Sequence, residues 1–489
     1  MPDNENLTSK VVQASFWTVA TRWTMRSLGL VSLIVLARLL EPEDYGLMAM
    51  AMTFVALMNL FMTWGFEIAI VRHPDPQRDH YDTAWTLQFF NGLICSTVVF
   101  LMAPYIADFF DEPRLVEMLR IMSVGFIVIG LNNIGLADLQ RNFQFSREFR
   151  YLVACRLTAF VVTIIAAYLL RSYWALVIGQ LTATTVRLCF GYIVVPRRPR
   201  FTLSRSAEIL SFSVWVVVRN FALFATKRFD TIVISRLYTA EMIGPYDLAK
   251  NVSRMAISES LHPLSRALLP GFSKITSEER RALAALGKAL GIYATIALPL
   301  GLGLASVAEE FVNVVLGQKW AAAVPFVVLF AVGTSARFLL SPFGPFLLAQ
   351  GKSRTVAALA GTQALVFIGL VSYAAHAGDM VMIAACSAAV SVIVAPLYSR
   401  LGLGSWGAFG WMLRPMVRPL VAALVMVTAV LAVGTLPLSP VIMLAAKVSL
   451  GIVVYGGCLA LLWLSAGRPE GPETVFLGVA ASLRRRVSW

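Results

Sequence analysis

Apolar stretches recur through the whole chain, each ended by a short cluster of charge, proline or glycine. They fall near 14–40, 45–70, 84–107, 115–137, 151–170, 174–195, 209–235, 243–269, 287–311, 323–349, 356–376, 380–399, 412–436 and 440–465. A bilayer core about 30 Å thick is crossed by roughly 20 mostly apolar residues in helical form. The spacing therefore predicts an all-α integral membrane protein with about fourteen transmembrane helices.

Two of these stretches share a register. Ile34-Val35-Leu36-Ala37-Arg38-Leu39 returns as Ile232-Val233-Ile234-Ser235-Arg236-Leu237, an offset of 198 residues (236 − 38). The same offset pairs Ser15 with Ser213, Trp17 with Trp215, Val19 with Val217, Glu43 with Glu241 and Gly46 with Gly244. Tandem apolar units are a common plan for carriers, with the substrate bound where the copies meet. The chain reads as two six-helix lobes, residues 1–195 and 209–400, joined by a basic linker over 196–208. Two extra helices follow at 401–466, then a basic tail at 467–489, either a short amphipathic helix on the inner leaflet or a disordered end. Six crossings is an even number, so the copies enter the membrane in one direction, as a parallel repeat about a pseudo-twofold axis along the membrane normal.

Composition agrees: 58% of the 489 residues are hydrophobic, 14% are charged, and the mean hydropathy is +0.74. A net charge of +14 could suggest nucleic acid, but the basic residues form no single patch. They recur in alternate connections, as at Arg72 and Arg78, Arg141 to Arg150, Arg197 to Arg205, Lys274 to Arg281, and Lys352 with Arg354. The intervening connections are acidic or nearly neutral, as at Glu41 to Asp44, Asp108 to Glu112, and Glu309 with Glu310. The positive-inside rule then places both termini and the linker in the cytoplasm. The polar start and long first apolar run do not match a cleavable signal, so that run is expected to remain as a membrane helix. The five cysteines lie in apolar segments without paired spacing, which argues against a disulfide framework or metal cluster.

At Ala37-Arg38-Leu39-Leu40-Glu41-Pro42-Glu43-Asp44-Tyr45-Gly46-Leu47-Met48-Ala49-Met50 the sequence resembles polysaccharide exporters and lipid-linked oligosaccharide flippases of the multidrug/oligosaccharidyl-lipid/polysaccharide (MOP) superfamily. The resemblance implies a two-lobed carrier in a bacterial inner membrane. It would move an undecaprenyl-pyrophosphate-linked sugar unit from the cytoplasmic to the outer leaflet, with a polysaccharide polymerase or export complex as a neighbour. Locally, Pro42 fixes the backbone, Asp44 is expected to cap a helix beginning near Tyr45, and Gly46 permits close packing.

Charges stand inside the apolar runs. Arg22 and Arg26 lie one turn apart on the first helix; Arg219, Lys227, Arg228 and Asp230 lie on the seventh, its repeat counterpart; Asp247, Lys250, Arg254 and Glu259 lie on the eighth. A charge at mid-bilayer costs roughly 2.5 to 3.5 kcal/mol even on the insertion scale, so this group faces a watery cavity or partner charges rather than lipid. As a binding set, Arg22, Arg26, Arg219, Lys227, Arg228, Lys250 and Arg254 would line the cleft between the copies and attract pyrophosphate and acidic sugars. The competing reading is ion pairing, above all of Lys227 with Asp230, or snorkelling near helix ends. Asp230, Asp247 and Glu259 are the acids to test for ion coupling. Arg187 and Arg337 are further intramembrane cations with a structural expectation, while Lys447 lies outside the repeat and is assigned no role.

Other chemistry is sparse. His73 and His80 with Asp75, Asp79 and Asp82 have no recognised ligand spacing, so no metal site is expected. No phosphate-binding loop occurs, and no connection is long enough for an ATPase domain, so no cofactor is expected and the drive is an ion gradient, the membrane potential or the carrier lipid's own gradient. A cation-coupled drug exporter of the same superfamily would be expected to have a more apolar or acidic cavity. A polymerase or glycosyltransferase would be expected to display a sizeable extramembrane loop, and every connection here is short.

Overall fold

A computed structural model describes residues 2–62, 66, 70, 75–142, 144–206, 228–275, 278–405, 408–434, 439–468 and 472–474, the side chains of 2–16, 140, 259, 263, 266 and 279 excepted. All regular structure among the described residues is helical, and eleven of its helices are long and apolar enough to cross a membrane. The chain divides into two compact units at Gly244 and Pro245.

The first unit begins with α1 (Pro2–Leu39), α2 (Pro42–Met62), α3 (Arg78–Phe110), α4 (Arg114–Gly130), α5 (Phe145–Leu170) and α6 (Trp174–Val194). Helical backbone follows over 228–237, and Ala240 opens α7 (Ala240–Ser273). Consecutive helices form tight pairs, α3 with α4 and α5 with α6, and α1 packs on α5. Asp111 and Arg171 end α3 and α5 in the left-handed conformation (φ 54° and 47°), each backbone N–H returning to a carbonyl of its own last turn. At the α3–α4 crossing a Cβ on Gly92 would lie 2.6 Å from the Phe126 carbonyl oxygen, so only glycine allows that approach. Gln88 lies alongside and donates to the Ile129 carbonyl at 2.9 Å.

The second unit holds the rest of α7, then α8 (Glu279–Ser306), α9 (Val324–Leu339), α10 (Ser353–His376), α11 (Met380–Leu397), α12 (Ala408–Ala432) and α13 (Pro440–Ser465). Here α8 packs on both α9 and α12, α12 on α13, and α9 and α10 on α11. Ser335 of α9 donates to the Ala297 carbonyl of α8 at 2.9 Å. The terminal helices are held by charge: Lys447, buried on α13, pairs with Glu310 of the short helix Ala308–Phe311. On α12, Arg418 lies 3.0 Å from Glu473, whose neighbour Pro472 fits against Gly291 of α8. Residues 472–474 of the tail are therefore packed on this unit. Outside these contacts the surface is apolar, as at Ile193 (73% exposed) and Val453 (70%), which suits lipid and not water.

Three of the fourteen expected spans are not among the eleven. The seventh (209–235) falls mainly outside the described residues, and the eighth is the continuous helix α7, whose charges keep it below the hydropathy of the others. The fourth is α4, only 17 residues long. It stops because Asn133 anchors the following turn, accepting from Gly135 N–H and donating to the carbonyls of Gly191 and Val195. The stretch at 323–349 is interrupted between Leu339 and Phe343, where Pro342 lacks an N–H and disfavours helix at the preceding residue. At the other extreme, α1 reaches back to Pro2 through the polar start.

The basic linker is zipped onto α3. Backbone N–H groups of Arg200, Thr202 and Arg205 donate to Asp82, Thr86 and Thr83, three side chains buried on the first turns of that helix. Arg197 bonds Asp138 at 3.2 Å and stacks 3.9 Å from the Tyr81 ring centroid, and Tyr81 also donates to Asp138. Phe201 leans edge-on against Trp85 and Phe89. An extended segment whose N–H groups are satisfied by side chains in this way is fixed without any secondary structure of its own.

Candidate functional site

The signature turn after α1 is a structural hub. With Pro42 at the first helical position, where a missing N–H costs nothing, α2 starts three residues before Tyr45. Asp44 is thereby placed inside the first turn rather than at the cap, which corrects the sequence expectation. Its carboxylate accepts the Glu41 N–H at 2.9 Å and, across the unit, the Tyr173 N–H of the α5–α6 connection at 2.7 Å. Beside it the Arg114 guanidinium donates twice to Glu112 (2.7 and 2.8 Å) and once to Glu43 (2.6 Å). The guanidinium holds the Glu112 carboxyl below its ordinary range, outweighing the opposing effect of partial burial. A Cβ on Gly46 would lie 1.7 Å from the Ala240 carbonyl oxygen, and one on Gly244 would lie 1.9 Å from that of Pro42.

Three cations of the first unit lie on or beside α1: Arg22, Arg26 and Arg156. Arg22 and Arg26 are both partly exposed, one turn apart as expected. The structure adds a residue that the sequence reading did not single out: Arg156 of α5, whose Nη2 would lie 3.5 Å from a Cβ on Gly29, three residues beyond Arg26. Arg156 also lies within Coulombic reach of Arg187 on α6, and both are exposed. The signal for Arg156 was present, an arginine well inside the apolar run at 151–170. Trp17 packs against Phe149 with centroids 5.1 Å apart, a helix-packing contact between α1 and α5. Arg219 and Lys227 lie outside the described residues. Arg228 is half-buried, and Asp230, 1% exposed, accepts from the Thr231 N–H at 2.8 Å.

In the second unit the expected residues follow one another along α7. Asn251 donates to Asp247 at 2.8 Å and accepts from Arg254 at 3.0 Å, so a neutral amide stands between the acid and the base. Lys250 Nζ lies 5.9 Å from the Tyr246 ring centroid. Glu259 belongs to α7, with its side chain outside the description. Lys447 is an ion-pair partner, as above.

The histidine and aspartate group at the start of α3 has other work. His80 Nδ1 accepts the Gln77 N–H at the helix start, Asp82 holds Arg78 and the linker, and His73 is outside the described residues. Among the described residues no group of histidine, cysteine or acids is arranged to hold a metal.

Residues 35–325 match the family model described as polysaccharide biosynthesis protein. The lipopolysaccharide biosynthesis protein WzxC of Escherichia coli (strain K12) is 26% identical over 351 residues, 71% of each chain. The succinoglycan biosynthesis transport protein ExoT of Rhizobium meliloti (strain 1021) is 25% identical over 452 residues, 90% of each. In fold the chain is similar to the lipid II flippase MurJ in an inward closed conformation, with a TM-score of 0.74 at 15% identity over 94% of this chain and all of that one. The chain is a multi-pass membrane protein that belongs to the family described as polysaccharide biosynthesis protein.

Proposed function

We propose that the chain carries an undecaprenyl-pyrophosphate-linked oligosaccharide from the cytoplasmic to the outer leaflet of a bacterial inner membrane, by alternating access, for exopolysaccharide, capsule or O-antigen synthesis. The observation that carries this reading is the set of cations inside apolar helices: Arg22 and Arg26 on α1, Arg156 on α5, Arg187 on α6, and Lys250 and Arg254 on α7. Arg219, Lys227 and Arg228 complete the set. Two unit charges about 4 Å apart gain about 1 kcal/mol in water and about 4 at an effective dielectric of 20, so several such cations offset the lost hydration of a pyrophosphate. Fourteen helices with cytoplasmic termini and linker belong to the same reading, as does a polymerase or export complex nearby.

A drug exporter coupled to cations would instead present carboxylates to its cargo. Asp230 and Asp247 are engaged by Thr231 and Asn251, which favours an anionic cargo. Whether Asp230, Asp247 or Glu259 also couples an ion is tested in the same experiment: purified protein in liposomes with fluorescent lipid-pyrophosphate sugar, measuring leaflet exchange with and without an imposed ion gradient. Protein-dependent exchange is expected. No exchange, with uptake of a cationic dye under the gradient, would replace this reading by the drug-export one.

A further inference from the structure

Where α5 begins and α6 ends, at the end of the unit that carries the basic linker, the two helices flank an open groove of about 460 Å³. Its lining residues are Arg147, Arg150, Tyr151 and Ala154 from α5, and Phe190, Ile193 and Val194 from α6. On α5 these positions are spaced three or four apart, so they form one stripe of a helix, cationic at its start and apolar further in. The α6 positions form a second, wholly apolar stripe. Glu148 is rotated off the first stripe and is not part of the wall. The Tyr151 hydroxyl is committed to the Arg187 carbonyl at 3.0 Å, and Arg147 holds only the neutral Gln144 amide, at 3.2 Å.

The geometry points to a binding site for an anionic glycerophospholipid, its phosphate on Arg147 and Arg150 and its acyl chain along Ala154, Phe190, Ile193 and Val194. Charge complementarity selects the anion: arginine forks suit phosphate oxygens, and no carboxylate is on the wall to repel them. The apolar depth selects an amphiphile over a free phosphate. The lining chemistry, rather than size, sets this occupant apart from the glycan cargo. Past the arginines the wall offers no uncommitted hydrogen-bonding group for sugar hydroxyls. The inference does not depend on the transport reading, because it concerns a bound lipid rather than a moved one.

The test is native mass spectrometry of the full chain released from nanodiscs of phosphatidylglycerol and phosphatidylcholine in equal parts. Wild type is expected to retain phosphatidylglycerol in preference to phosphatidylcholine. Arg147→Gln with Arg150→Gln should lower that retention on the order of tenfold or more, from the contribution of each near-surface cation. Ala154→Trp, which fills the groove and leaves both charges, should lower it as well; this second variant separates loss of the site from loss of the fold. Equal retention of both lipids, or retention unchanged in both variants, overturns the site. Displacement of phosphatidylglycerol by undecaprenyl diphosphate, itself lost from the double variant, would overturn the phospholipid assignment and give the groove to the carrier lipid.

Discussion

Gly46 and Gly244 occupy reciprocal positions at one helix crossing: each lies against the carbonyl of the residue that opens the other's helix, Ala240 for Gly46 and Pro42 for Gly244. The 198-residue offset seen in the sequence maps one contact onto the other, Pro42 onto Ala240 and Gly46 onto Gly244 (240 − 42 and 244 − 46). A methyl group on either side has no room. Gly46→Ala and Gly244→Ala are each expected to destabilise the solubilised protein by about 1–3 kcal/mol, the usual cost of overpacking. The double variant should cost less than the sum, because one methyl already opens the crossing the other would strain. Thermal unfolding of the three variants decides this; unchanged midpoints would show that the crossing yields freely.

Export should depend on the cations. Arg22→Ala, Arg26→Ala, Arg156→Gln, Arg219→Ala and Lys250→Ala are each expected to reduce polysaccharide export several-fold with membrane abundance near normal. Complementation of an exporter-deficient strain, with immunoblots of the membrane fraction, reads both quantities. Lost abundance would make the residue a structural partner instead.

The Glu112–Arg114–Glu43 cluster predicts a pH effect of definite sign. Arg114 holds the Glu112 carboxyl below its ordinary value of 4.5, so the cluster contributes its full stability above that value and loses it as pH falls through the lowered folded value. Unfolding midpoints followed from neutral pH to well below 4.5 should fall less steeply in Glu112→Gln than in wild type. Parallel curves would remove Glu112 from the account.

Releasing the linker should expose it. Thr86→Val leaves the Thr202 N–H without its acceptor, and Asp82→Asn weakens the hold on Arg200, changes worth about 1–3 kcal/mol where the group stays buried. Trypsin cleavage at Arg200 or Arg205 is expected to accelerate in these variants in inverted membrane vesicles. In intact cells a cysteine at Ser204 should resist a membrane-impermeant reagent; efficient labelling there would reverse the orientation.

Apolar periodicity made the helices legible because a bilayer demands long runs, and charges within them marked Arg22, Arg26, Lys250 and Arg254 as exceptions. Proline chemistry at Pro42 was legible too, but the consequence for Asp44 was not, since its second partner, Tyr173, is 129 residues away. Partners at such separations leave no local pattern, which is why the Lys447–Glu310 pair also escaped notice. The linker was read as a connection because bonds from its backbone to Asp82, Thr83 and Thr86 have no signature in the linker's own side chains. Arg156 was overlooked despite satisfying the same criterion as Arg22, a plain arginine in an apolar run.

The Lys447–Glu310 pair determines how freely the last two helices can be exchanged among relatives. A chimaera that receives a foreign α12–α13 hairpin without lysine at this depth strands Glu310, and one that donates the hairpin to a host without the glutamate strands Lys447. The first leaves a half-buried carboxylate unpaired and the second a lone buried ammonium, whose cost commonly reaches about 3–5 kcal/mol. The hairpin and the Ala308–Phe311 turn are therefore inherited together: a domain swap that respects helix boundaries but divides these two residues should fail to assemble, and one that moves them jointly should succeed.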